Sequence, residues 1–382
     1  MGLPGVMTRR TWVLILGLLT AITMIYVMPV NAQSSKITID GNGDVIPSVA
    51  SIPRDGNVYS LTANLNNTSI IVEANNIVID GANHVLGGLG VNQNMIALNL
   101  TATNVTVQDM HICNWKVGVL GAWNNNAITN NTLTNNGEGI VIYGDDYDVR
   151  QNSVMGSTTA LFIDGGAFRP QGDNNFITQN RITSNTYALD ILNSDGTTIK
   201  GNDIANNDCI LVLATNTRNT FLFYNNFTNN TQVLSIPFWG PTVEGIVAFS
   251  PAGQWDNGTL GNYWSDYQTT YRNATEIDHT GIGNTPYLIT SMIPYSINYA
   301  NGTDITGVAT LGTAIDNHPL MASALISKSA STVLPNSTPA VPEVPVWTLL
   351  VTVLLATYAV VLLALKHSVT VSKRLKEQLC SA

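Results

Sequence analysis

Basic side chains are scarce in this 382-residue chain, which has 16 Lys and Arg against 25 Asp and Glu, a net charge of −9. Between residues 33 and 345 the imbalance grows to 10 Lys/Arg against 24 Asp/Glu, a net of −14. A nucleic-acid partner needs basic patches for its phosphates, so no nucleic-acid role is expected. Anionic polysaccharides are also repelled unless a local basic site or a cation intervenes. Cysteine is nearly absent, with only Cys113, Cys209 and Cys380. Cys113 and Cys209 fall four repeat units apart, about 19 Å at the strand spacing, which is too far for a disulfide. There is no Cys-x-x-Cys pair and no Met-rich tract, and His84, His111, His279 and His318 are widely scattered. Soft-metal sites need such donors clustered, so no metal or other cofactor is expected.

Long apolar runs occur only near the two ends. Arg9 and Arg10 precede an apolar run from Trp12 to Val30 that closes on Val30-Asn-Ala32. This pattern reads as a signal peptide over residues 1–32, with an uncleaved anchor as the alternative. At the other end, residues 346–365 form a 20-residue run without charge, enough to span a bilayer. Lys366, Lys373, Arg374 and Lys376 follow it. The positive-inside tendency makes 366–382 a cytoplasmic tail, and the chain a single-pass type I protein of the cell membrane with its ectodomain outside. A Ser/Thr/Pro-rich linker covers 326–345.

What the chain does have is asparagine at a fixed period. The pattern apolar-x-x-Asn-x-apolar places Asn131, Asn152, Asn180, Asn202 and Asn225 in equivalent positions. Nine and eleven residues after each comes an apolar pair: Ile140/Ile142, Leu161/Ile163, Leu189/Ile191, Leu211/Leu213 and Leu234/Ile236. Alternation with period two indicates strands, and a repeat too short to bury its own face must stack on its neighbours. The expected fold is all-β, a single-stranded right-handed parallel β-helix solenoid of roughly nine to ten coils with a C-terminal transmembrane helix. The five asparagines form a ladder of stacked amides along the axis, and Asn tolerates the left-handed backbone of a bend. Gln108 and Asp80 take the ladder position in earlier, degenerate units. The ectodomain spans 33–325, closed by a cap at about 255–325.

The motifs Tyr59-Ser-Leu-Thr62 and Ile77-Val-Ile-Asp-Gly81 resemble the start of NosD-like proteins, right-handed β-helices of the carbohydrate-binding and sugar-hydrolase repeat type. Gly261-Asn-Tyr-Trp-Ser-Asp-Tyr267, Gly281-Ile-Gly-Asn-Thr-Pro-Tyr287 and Asp316-Asn-His-Pro-Leu-Met321 resemble the closing segment of the archaeal, membrane-anchored surface type. The resemblance covers residues 36–322 and implies an exported β-helix. It also implies, as one alternative, an accessory protein of an ABC transporter or a copper-site maturation system. His279 and His318 belong to the closing motifs and are the one pair with a case for ligating a metal; hydrogen bonding within the cap is the plainer role. The block Asp278-His-Thr-Gly-Ile-Gly-Asn284 is less acidic than is usual in the family, which weakens any cation site there. Pro342-Glu-Val-Pro345 resembles an archaeal sorting signal, which implies lipid attachment in place of a permanent helix.

Several residues are candidates for chemistry. Asp40-Gly-Asn-Gly-Asp44 alternates donors as calcium loops do but lacks the distal Glu; it reads as a turn before the first strand. Asp164 lies twelve residues after Asn152 and Asp190 ten after Asn180, so both point outward in adjacent coils, offset by two residues. That diagonal is about 7–8 Å, within the range for paired carboxyls acting on a glycosidic bond. Asp164 and Asp190 are therefore the candidate catalytic pair, with Asp145, Asp146, Arg169 and Trp264 as candidate substrate-binding residues. Trp264, with Tyr263 and Tyr267, either stacks on sugars or caps the solenoid, and the cap is the better reading. Eleven N-x-Ser/Thr sequons occur, of which Asn257, Asn273, Asn301 and Asn336 are the best glycosylation candidates. The favoured function is a non-catalytic surface module for a glycan or protein ligand. A polysaccharide hydrolase or lyase is the alternative from another class.

Overall fold

The computed structural model describes residues 35–165, 174–213, 217, 219–235, 253–298 and 304–326. Each repeat folds into three short strands that close one turn. The turn after Asn126, for example, contains Ala127–Thr129, Thr132–Thr134 and Glu138–Ile142. Stacking the turns produces three parallel sheets. Sheet A holds the longest strand of each turn, from Ser35–Ile39 to Gln232–Ser235. Sheet B runs from Val58–Ser60 to Phe221–Phe223, and sheet C from Leu65–Asn66 to Tyr263–Trp264. Among the described residues this makes eight complete turns with a partial turn at each end. The inward residues stack like on like: Ile128, Val149, Ile177, Ile199 and Leu222 are pairing partners in sheet B, all fully buried.

The asparagines form the predicted column. Each rung's Oδ1 accepts both the backbone N–H and the Nδ2–H of the rung one turn earlier, at 2.8–3.1 Å. Each Nδ2 also donates to a strand carbonyl of the preceding turn, as Asn152 does to Ile128 at 2.7 Å and Asn180 to Val149 at 2.8 Å. Both amide hydrogens and both oxygen lone pairs are thus used, which makes a fully buried amide tolerable. The rungs are not themselves left-handed. The residue just before each one is: Asn130, Gln151, Gln179, Gly201 and Tyr224 have φ between 55° and 65°. Asn is needed at the rung for its amide, and the backbone bend falls one residue earlier.

The ladder is longer than the sequence pattern showed, and it is not alone. Asn225 donates its N–H and Nδ2 to Oδ1 of Asn262, 37 residues on, at 3.1 and 3.0 Å. A second column lies at the bend between sheets C and A: Asn185 bonds to Asn207 and Asn207 to Asn230 in the same reciprocal way. At the third bend Asn126 and Asn175 accept the N–H groups of Val105 and Tyr147. These Asn sit five residues either side of the first column's rungs. Asn136 and Ser157 also belong to the second column. Ser157 donates its N–H to Asn185 at 2.9 Å, but its own hydroxyl is buried without a partner.

Gln108 and Asp80 are not rungs. Val107 pairs with Ile128 and Gln108 with Thr129, so the column passes through Met110, whose N–H donates to Asn131 at 3.0 Å. The expected register was slipped by two residues. Such a slip preserves which side chains face inward, so the hydrophobic pattern cannot reveal it. The Asp40–Asp44 segment is a turn, but it follows the first strand and does not precede it. It links Ser35–Ile39 to antiparallel Val45–Ile46, and Asp40 Oδ1 accepts the N–H groups of Asn42 and Asp44, both at 2.9 Å.

Asp316 ends the column. Its Oδ2 accepts from Asn262 N at 2.7 Å and from Trp264 Nε1 at 2.9 Å, and its Oδ1 accepts from His318 N. It closes the antiparallel ribbon of Tyr287–Asn298 and Asp304–Asp316, where it pairs with Tyr287. Burial raises the Asp316 carboxyl to about 6, although these donors oppose the rise. A Cβ at Gly261 would overlap this carboxylate, so Gly is required there. Trp264 stacks between Phe227 at 4.6 Å and Tyr287 at 4.3 Å, closing the open end of the core.

Asn180→Leu keeps the volume but strands the donors and acceptors of both neighbouring rungs, so it should lower stability by about 3 kcal/mol. Ser157→Asn restores a missing rung and should raise stability by about 1 kcal/mol. Chemical denaturation of both variants should show shifts of opposite sign.

Candidate functional site

The outer face of sheet A carries the expected carboxylate pair. Phe162 pairs with Asp190 and Asp164 with Leu192, so Asp164 and Asp190 lie on one diagonal of adjacent strands. They are not alone. Burial, followed by the charges of Glu138 and Asp164, raises the Asp190 carboxyl to about 6. Asp190 Oδ1 is buried without a hydrogen-bond partner, while Asn193 donates to Asp164 at 2.9 Å. Tyr143, 42% exposed, meets Phe162 edge to face with ring centroids 6.0 Å apart. Burial and the same two acids, Glu138 and Asp164, raise the Tyr143 hydroxyl. The face therefore joins three carboxylates to an aromatic pair. Glu138, Tyr143 and Phe162 were missed, although Tyr143 and Phe162 occupy the same outward positions, twelve and ten after a rung, that identify Asp164 and Asp190.

The other candidates go elsewhere. Asp145 and Asp146 serve a turn: Asp145 exchanges hydrogen bonds with Asn124 at 3.0 Å, and Asp146 takes the left-handed conformation, φ 59°. Trp264 is only 2% exposed, inside the cap, and presents no face for a sugar ring. Arg169, Asn301 and Asn336 lie outside the described residues. Asn257 and Asn273 are exposed, and Asn257 Oδ1 accepts from its own sequon's Thr259. Cys113 and Cys209 lie on different sheets and are not joined to each other.

The fold and this face define a parallel β-helix protein with a carboxylate- and aromatic-bearing sheet surface. Residues 35–269, more than half of the chain, match the family described as periplasmic copper-binding protein (NosD). The chain belongs to the NosD family. No curated protein matches it. Among solved structures it is similar to two mutant forms of the tailspike protein of E. coli bacteriophage HK620. A double mutant matches at 11% identity, TM-score 0.31, over 46% of this chain and 40% of that one. A second mutant, in complex with hexasaccharide, matches at 12% identity, TM-score 0.32, over 55% and 39%.

The family description names copper, and the donors present do not fit it. Each described histidine has a separate setting. His84 Nδ1 lies 3.3 Å from Asn64, and His111 Nε2 is hydrogen-bonded to Thr134 at 3.0 Å. His318 Nδ1 lies 3.3 Å from Asp256 without hydrogen-bond alignment, and His279 is exposed on a left-handed turn. Among the described residues no three His, Cys, Asp or Glu side chains converge on one point. Burial raises the Cys113 thiol, which disfavours the thiolate a copper ligand needs.

The carboxyls of Asp190 and Asp316 have a measurable consequence. Both hold a proton more readily in the folded state, so between the ordinary value of 3.8 and about 6 the folded chain binds more protons than the unfolded one. Their contribution to stability falls as pH rises through that window and is level above it. Asp190→Asn and Asp316→Asn should each remove one step of this fall, read from unfolding midpoints between pH 4 and 7.

Proposed function

We propose that this protein is an exported, membrane-anchored β-helix whose sheet A face binds a neutral glycan without cleaving it. The observation that carries the reading is the grouping of Glu138, Asp164 and Asp190 on one sheet face with Phe162, the pairing partner of Asp190, whose ring meets the exposed ring of Tyr143. Sugar hydroxyls are donors for carboxylates, and the apolar face of a pyranose covers an aromatic ring. The acidic surroundings favour a neutral ligand over an anionic one. Export is supported by the apolar run of residues 12–30 and by the periplasmic description of the family. Anchoring rests on the uncharged run of residues 346–365, with 326–345 as spacer and 366–382 as cytoplasmic tail. Those segments lie outside the described residues, among which no helix is long and apolar enough to cross a membrane. Glycosylation is proposed at Asn257, Asn273, Asn301 and Asn336.

A second reading is a polysaccharide hydrolase. Asp190, raised to about 6, would act as general acid, and Asp164, held by Asn193, would be the second carboxyl of the pair. A third, an accessory subunit beside an ABC transporter, rests on family membership; for its copper branch no donor set converges among the described residues. Incubating the full-length protein with neutral polysaccharides separates the first two. Retention without shortening, lost in Asp190→Asn and Tyr143→Ala, is expected. Shortening that disappears in Asp164→Asn and Asp190→Asn would make this an enzyme, and no retention would remove the glycan reading.

A further inference from the structure

Sheet B presents a second surface that the neutral-glycan reading leaves unused. Its strands are three residues long, so the first and third residues of each face outward and form two columns along the axis. In four successive turns the columns read Asp148 and Arg150, Phe176 and Thr178, Thr198 and Lys200, then Phe221 and Phe223. An aromatic ring recurs every second turn in the first column, and a cation every second turn in the other, one turn out of step. Two turns span about 10 Å at the strand spacing, the length of one disaccharide in an extended polysaccharide.

The two cations and Phe176 are open to a ligand, and Phe221 is half-buried. Phe176 is 51% exposed, and Arg150 and Lys200 are exposed. Arg150 pairs with Asp148 at 2.5 Å, but both side chains are well solvated, so this pair is weak and leaves other guanidinium donors free. The Lys200 ammonium lies 5.4 Å from the centroid of Phe223, which holds it over the sheet. In an ectodomain with so few cations, two at one register and two turns apart make the local basic site that an anionic polymer would require.

We infer that the outer face of sheet B, from Arg150 to Phe221, binds an acidic polysaccharide with one anionic group per disaccharide, lying along the solenoid axis. Its charges meet Arg150 and Lys200, and its intervening pyranose faces cover Phe176 and Phe221. Spacing sets the specificity. A polymer charged on every sugar would place half its anions over turns that offer Phe and Thr in place of a cation, on a protein whose net charge is negative.

The test is affinity electrophoresis of the full-length protein in gels containing an alternating glucuronate/N-acetylglucosamine polymer, a polygalacturonate or a neutral glucan. The alternating polymer should retard the protein, less so as salt rises. Arg150→Gln/Lys200→Gln should weaken retardation roughly tenfold, the loss of two charge-assisted contacts. Phe176→Ala should weaken it severalfold. Asp190→Asn, on sheet A, should leave it unchanged, so failure of the neutral-glycan reading is separable. Arg150, Phe176 and Lys200 are exposed and Asp190 is half-buried, and matched thermal melts establish that each variant is folded; Lys200→Gln alone should shift retardation in the same direction. No retardation at low salt, equal retardation of the double variant, or equally strong binding of polygalacturonate would overturn the proposal.

Discussion

The hydrogen bonding of the buried asparagine amides is the constraint on which the rest of the structure depends. A chain that turns three corners per coil must bury polar backbone at each corner, because the next coil lies on top of it. A side-chain amide suits this position, since it donates twice and accepts twice in one plane. From Asn152 to Asn262 each rung takes both donors of the rung before it and passes its own to the group after. No rung is satisfied by itself. The same reciprocity makes the length of the solenoid a boundary problem, because the last Asn has donors with nothing to receive them.

Asp316 solves that problem at the C-terminal end. A carboxylate accepts without donating, so it terminates a column of donors where another amide would prolong it. Its burial is costly, as its raised carboxyl shows, and the donors from Asn262, Trp264 and His318 offset part of that cost. Gly261 makes room for it, and the stack of Phe227, Trp264 and Tyr287 seals the apolar core beside it. The closing motifs are therefore read most directly as cap architecture.

With the interior committed to stacking, recognition is left to the outer faces, where the fold imposes a spacing of its own. Outward residues repeat once per turn along every column, so any surface pattern is sampled at the strand spacing. Sheet A groups Glu138, Asp164 and Asp190 around an aromatic pair, and sheet B interleaves rings with cations. Both patterns repeat along the axis and do not converge on one point.

Much of this was legible in the chain. Five rungs, the inward apolar pairs and the outward diagonal of Asp164 and Asp190 follow from a repeat with locked spacing, because period two and a fixed number of residues per turn leave little freedom. The early turns were misread by two residues, since a slip of two leaves inward residues inward, and only the pairing of Val107 with Ile128 exposes it. The second and third amide columns carried a signal, Asn five residues from a rung, that the apolar pattern did not select. Asp145, Asp146 and Trp264 look like site residues in sequence because a turn Asp and a cap Trp have the same composition as a binding residue. Local sequence determined the strands, the turns and the stacking, since these depend on neighbours within one repeat. The tertiary structure alone decided that Asn262 and Asp316, 54 residues apart, meet at the end of the column, and that burial, with the charges of Glu138 and Asp164, raises the Asp190 carboxyl. Those effects arise between groups far apart in sequence, where distance in space, not spacing along the chain, sets the energy.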